Sequence, residues 1–135
     1  MGDVGLRFVT MVLASATLLA LAPRTALAAA PQCYTWSGGA YCQYNGKVSQ
    51  VYINAYQEIM LYFDTPVDPA HAASVGLAGV TTTHIARYHM AGNPDFGKSL
   101  FAALLSAQAR GASISVQMHS VSNGYLVMDR IWVME

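Results

Sequence analysis

The chain has 135 residues, 54% of them hydrophobic and 10% charged, with seven basic and seven acidic side chains that balance to a formal net charge of zero. That balance argues against a nucleic-acid partner, which normally requires a basic patch, and gives no reason to expect a strongly charged partner of either sign. Two cysteines cannot form a structural zinc site, and the four histidines show no H-E-x-x-H or related spacing, so neither a metal nor a cofactor is expected.

The N-terminus reads as a leader. Arg7 supplies a short basic region, an apolar run extends from Phe8 to Leu21, Pro23 breaks it, and Ala26-Leu27-Ala28 fits a small-x-small cleavage signal. A signal peptide is therefore expected over residues 1–28, which places the mature chain in a secreted or periplasmic setting. No later stretch is long and apolar enough to span a bilayer. Residues 29–135 suffice for one domain with a modest core. In an oxidising compartment a Cys33–Cys42 disulfide is the default expectation, with free thiols or an intermolecular bridge as alternatives.

Residues 29–45 read as a disulfide-stapled, aromatic N-terminal arm with a turn at Ser37-Gly38-Gly39. Its Tyr34, Trp36, Tyr41 and Tyr44 suit either a binding surface or a small satellite core. Asn45-Gly46 reads as a turn, so the domain and its strands are expected over residues 46–135. Residues 47–56 alternate, with Val51, Ile53 and Ala55 on one face and Tyr52, Asn54 and Tyr56 on the other. Residues 58–64 follow, with Ile59, Leu61 and Phe63 inward. Residues 70–79 are rich in alanine and glycine and read as a loop. Residues 80–88 carry three threonines, whose β-branching suits a third strand.

Residues 93–111 predict the one clear helix after the leader. Asn93 can cap the first-turn N–H groups, Pro94 fits the first helical position, and Asp95 and Arg110 complement the two ends of the dipole. Gly111 supplies the left-handed exit, and Phe96, Leu100 and Leu104 form the inward stripe. Beyond it, residues 112–119 alternate with Ile114, Val116 and Met118 inward, and Asn123-Gly124 marks a hairpin turn. Residues 125–134 are apolar on both faces and read as a central strand. Three strands, a helix and two strands predict a mostly β fold with one helix, an OB-fold-like five-stranded barrel plugged by the helix. A helix packed across an open antiparallel sheet is the competing architecture.

Catalytic patterns are absent from the sequence. His84 and His89 fall on opposite faces of a strand, and His71 and His119 lie elsewhere. Glu58 and Asp64 on one strand would stand about 20 Å apart, too far for a glycosidase pair. Asp129 and Arg130 are neighbours on a strand, which predicts opposite faces and separate partners. No G-x-S-x-G elbow or phosphate-cradling glycine loop occurs. Polar-aromatic recognition is what remains. Tyrosine combines an apolar ring with a hydroxyl, and Tyr52, Asn54, Tyr56 and Tyr62 suit a glycan or a protein surface equally.

The run Gly97-Lys98-Ser99-Leu100-Phe101-Ala102-Ala103-Leu104-Leu105-Ser106-Ala107-Gln108-Ala109-Arg110-Gly111, then Ser113-Ile114-Ser115-Val116, Gly124-Tyr125 and Ile131-Trp132-Val133, resembles small exported bacterial proteins. These are similar to the binding subunits of subtilase-cytotoxin and pertussis-like AB5 toxins. The resemblance implies a disulfide-bearing OB-fold subunit, a ring of five copies and a glycan ligand. The family's sugar pocket, a serine with aromatics near the first strands, implies Ser49, Tyr52 and Tyr56 here, beside Asn54. The expected function is thus a non-catalytic glycan-binding module. The alternative is a protein-interaction module, an inhibitor or accessory subunit without a carbohydrate ligand.

Overall fold

The computed structural model describes residues 29–134; the leader expected over residues 1–28 lies outside the described residues. Nine elements follow in order: β1 (Gln32–Trp36), β2 (Gly39–Lys47), β3 (Val51–Ile53), β4 (Glu58–Tyr62), α1 (Pro69–Ser74), β5 (Ile85–His89), α2 (Pro94–Arg110), β6 (Ser113–Ser122) and β7 (Tyr125–Met134). The strands form a single sheet in the order β1-β2-β6-β7-β5-β4-β3. All pairs are antiparallel except β5 with β7, which run parallel.

The ladder is open, with β1 at one edge and β3 at the other. It is also strongly coiled. A flat sheet would hold β2 and β3 five strand spacings apart, about 24 Å. The link between Lys47 and Val51 can reach at most about 14 Å. Coiling reconciles the two, and the packing shows it: the Tyr44 ring on β2 meets Phe63, just past β4, at 5.0 Å between centroids.

The inner face of this coil is the core. Cys42 and Tyr44 on β2, Ile59 and Leu61 on β4, Ala86 on β5, Ile114, Val116 and Met118 on β6, and Leu126 and Met128 on β7 are all fully buried. Helix α2 closes this face with Leu100, Leu104 and Ala107, and Phe96 packs partly buried beside them. The helix has the ends its sequence predicts. Asn93 Oδ1 accepts from the Phe96 N–H at 3.0 Å, and Gly111 takes φ 63°, the left-handed region open to glycine. Helix α1 adds Ala72 to the same core and lies against β1.

The expected closed five-stranded barrel with one helix is not what the chain forms. Seven strands and two helices occur among the described residues, in a mixed sheet that does not close. The resemblance to the toxin binding subunits implied that barrel and is overturned by the open seven-stranded sheet. The competing reading of a helix on an open sheet comes nearer, although one strand pair is parallel.

Three local differences account for the mismatch. Residues 32–47 form two regular strands of the sheet, with Asn45 and Gly46 paired to Ser115 and Ile114 rather than turning. Residues 80–84 are not strand: the Thr81 and Thr82 N–H groups both donate to the Gly124 carbonyl at 3.0 Å, bracing the β6–β7 turn. Residues 69–74 are helical because Asp68 accepts from the Ala70 N–H at 2.9 Å and Pro69 follows it, a cap signal in a stretch read as loop. The expected Cys33–Cys42 disulfide is present and joins β1 to β2.

Candidate functional site

Strand alternation sends every second side chain of the sheet to its outer face, away from α2. On β1 these are Gln32, Tyr34 and Trp36, since Cys33 faces the core; on β2 they are Tyr41, Gln43 and Asn45. On β6 and β7 they include Ser115, Gln117, Arg130 and Trp132. Cross-strand register then lines these residues into rows.

One row is aromatic. Tyr34 and Tyr41 are opposite each other, ring centroids 5.4 Å apart, and Tyr41 stacks on His119 at 5.4 Å and 26°. Asp129 ends the row, with Oδ1 2.6 Å from His119 Nδ1. A paired irregularity in the ladder makes this contact. Gln117 pairs with Arg130, Met118 with Met128 and Ser120 with Val127, so His119 and Asp129 are both left without a Cα partner and meet as the extra residues of facing bulges. With Nδ1 donating to the carboxylate, a neutral His119 ring presents Nε2 as an acceptor. The bulge also brings Arg130 to Asp129, Nε to Oδ2 4.0 Å. The expected separation of these two neighbours onto opposite faces is corrected by this geometry.

The next row is polar. Gln117 Nε2 donates to Gln43 Oε1 at 3.0 Å, and Gln43 Nε2 donates to Asn45 Oδ1 at 3.0 Å. These amides form a hydrogen-bonded strip whose remaining donors and acceptors face outward. Beyond Gln43 and Gln117, Asn45, Ser115 and Trp132 share the next row across β2, β6 and β7. Two residues along a strand advance about 7 Å, so the aromatic row and Trp132 lie about 13 Å apart across the amides. Trp36 and Trp132, the two tryptophans of the chain, are 51% and 46% exposed. Tryptophan is highly buried on average, so two half-exposed on one face are informative.

The residues expected to bind ligand lie at the other edge of the sheet. Tyr52 is on the outer face of β3, half-exposed, and Tyr56 stands at the tip of the β3–β4 turn, 80% exposed. Asn54 is engaged in holding that turn: Oδ1 accepts from the Tyr56 and Glu58 N–H groups at 3.0 and 3.1 Å, and Nδ2 donates to Glu58 Oε2 at 3.0 Å. Ser49 lies in the β2–β3 link, where its carbonyl accepts from Gln108 Nε2 on α2 at 3.1 Å. Tyr52 and Tyr56 therefore share an edge with Asn54, whereas Ser49 serves the helix contact.

A second polar group, around Arg87 on β5, is fully occupied. Its guanidinium bonds Glu58 at 2.9 Å and the Ser122 carbonyl and hydroxyl at 3.2 and 3.0 Å, and lies 5.0 Å from the Tyr125 ring centroid. This network ties the β3–β4 turn to the β6–β7 hairpin. The histidines do not gather: His71 is on α1, His84 precedes β5, and His89 Nδ1 accepts from the Ala91 N–H at 3.3 Å. Among the described residues no group of three or more histidine, cysteine or acidic side chains is placed to hold a metal, and no helix is long and apolar enough to cross a membrane.

Compared with protein-family models, curated proteins and solved structures, the chain matches none.

Residues 39–47 do carry a strand signal. Tyr41, Gln43 and Asn45 alternate with Cys42 and Tyr44, a period-two pattern hidden by reading Asn45-Gly46 as a turn. Nothing local marks the His119–Asp129 pair, because it depends on a register shift between two strands.

Proposed function

We propose that the chain is a secreted or periplasmic, non-catalytic glycan-binding module that uses the outer face of β1, β2, β6 and β7. The observation that carries this reading is the hydrogen-bonded strip of Asn45, Gln43 and Gln117, flanked by Tyr34 and Tyr41 on one side and Trp132 on the other. A sugar presents an apolar face and a rim of hydroxyls. Aromatic rings suit the first and fixed amides the second. Rows about 13 Å apart along the strands, with Trp132 two strands across from Tyr41, suit a short oligosaccharide better than one ring. His119 Nε2 and the Asp129 carboxylate add acceptors for hydroxyl donors. The Cys33–Cys42 disulfide fits an oxidising compartment.

A glycan-array screen of the disulfide-intact protein tests the proposal. Binding to a defined set of neutral oligosaccharides is the expected result, and a folded protein that binds none contradicts it. A protein ligand is the second reading, favoured by Tyr34 and Trp36 lying half-exposed on an edge strand. Tyrosine and tryptophan are enriched in interfaces for the same amphipathic reason.

A further inference from the structure

Strand β1 ends the sheet with α1 packed against it, but its own sequence has none of the features that usually blunt an edge. It reads Gln32-Cys33-Tyr34-Thr35-Trp36, with no charge, no proline and no bulge against β2. The opposite edge, β3, is only three residues long. Among the described residues, no backbone hydrogen bond is made to the outer side of β1.

The direction of its unpaired groups follows from the disulfide pair. Cys33 and Cys42 have Cα atoms 3.9 Å apart, the close spacing of a non-hydrogen-bonded antiparallel pair. The N–H and C=O of Cys33 therefore point away from β2, and those of Thr35 do the same by alternation. We propose that β1 is the seam of a two-fold homodimer, in which the β1 strands of two copies pair antiparallel about Tyr34.

This register is self-complementary. Cys33 of each copy faces Thr35 of the other as a hydrogen-bonded pair, so all the outward groups of these residues find partners. The two Tyr34 side chains meet across the axis, and Gln32 lies beside Trp36 of the other copy. Tyr34 and Trp36, 46% and 51% exposed in the single chain, lose exposure together. The aromatic row then runs unbroken from Asp129 of one copy to Asp129 of the other. Absence of charge on β1 removes the repulsion that would otherwise oppose self-pairing. The dimer does not depend on the glycan reading, because it rests on the edge and its hydrogen-bond parity alone.

Charge substitution at the axis tests it. Like charges directly opposed on paired strands are destabilising, and opposite charges are favourable. Sedimentation equilibrium from micromolar to millimolar protein should show wild type moving to the mass of two chains. Tyr34→Lys and Tyr34→Glu should each stay monomeric, and an equimolar mixture of the two should recover the dimer. Amide exchange at Cys33 and Thr35 should slow as wild type dimerises and stay fast in either variant, with circular dichroism unchanged because Tyr34 is half-exposed. A wild-type monomer at every concentration, single variants as dimeric as wild type, a mixture that stays monomeric, or a larger ring would each overturn the proposal.

Discussion

Tyr44 shows how one residue in the core couples stability to pH. Its hydroxyl donates to the Lys47 carbonyl at 3.0 Å, and burial, with the Asp64 carboxylate nearby, pushes its pKa up to about 12 from an ordinary value of 10.0. The folded state thus holds the proton to higher pH than the unfolded chain does. The resulting stabilisation is fully present below about pH 10 and is lost as pH rises towards 12. Tyr44→Phe should be less stable at neutral pH by about 1 kcal/mol for the lost hydrogen bond. Its denaturation midpoint should also fall less steeply than that of wild type between these pH values. An equally steep fall in the variant would assign the alkaline loss to another group. Residue-level roles differed in how far sequence revealed them. Asn54 looked like a ligand-facing amide, yet its side chain closes a turn, because a short amide satisfies nearby backbone groups more readily than it reaches outward. Asp129 and Arg130 looked separated, and a bulge turned both to one face.

Elements governed by local chemistry were the legible ones. Helix α2 could be read to its ends because Asn93, Pro94 and Gly111 act on backbone groups within one turn of themselves. Asn93→Ala should cost about 1 kcal/mol in chemical denaturation, and rescue by Ser or Asp at that position would confirm the capping role. Strands were less legible, since their extent depends on partners far away in sequence. Residues 39–47 become one strand through pairing with β6, over which the Asn45-Gly46 dipeptide has no influence. Helix α1 was legible in principle from Asp68-Pro69 but was masked by the glycine at position 76. The β1–β2 hairpin carries the disulfide. Replacing Cys33 and Cys42 together by serine should lower stability by roughly 2–3 kcal/mol, mainly by freeing the unfolded chain. Protease sensitivity in the variant should concentrate in residues 32–47. No loss of stability would mean that the hairpin is held by its pairing with β6 alone.

At the scale of the whole molecule, sheet coiling divides the labour between two faces. The inner face, closed by α2, accounts for the apolar positions of β4 and β6 expected to be inward, and it buries Leu126 and Met128 of β7, a strand whose sequence is apolar on both faces. The open ladder was not legible, because strand number depended on how residues 32–56 divide: the expected arm became two strands, the second running on to Lys47, and the expected strand over residues 47–56 shortened to residues 51–53. The outer face carries the aromatic and amide rows, assembled from two hairpins, β1–β2 and β6–β7, that are separated in sequence by β3, β4, α1, β5 and α2. For a bound oligosaccharide, Tyr41→Ala and Trp132→Ala should each weaken affinity by about tenfold or more, as expected for removing a ring worth about 1.5 kcal/mol or more in contact. The measurement that tests the account most directly is an NMR titration of the disulfide-intact protein with an array-positive oligosaccharide, following backbone and side-chain amide resonances. The account predicts shifts at the Gln43, Asn45 and Gln117 side-chain amides and at the Trp132 indole. Shifts confined to Tyr52, Asn54 and Tyr56 at the opposite edge, with that amide strip unmoved, would contradict it.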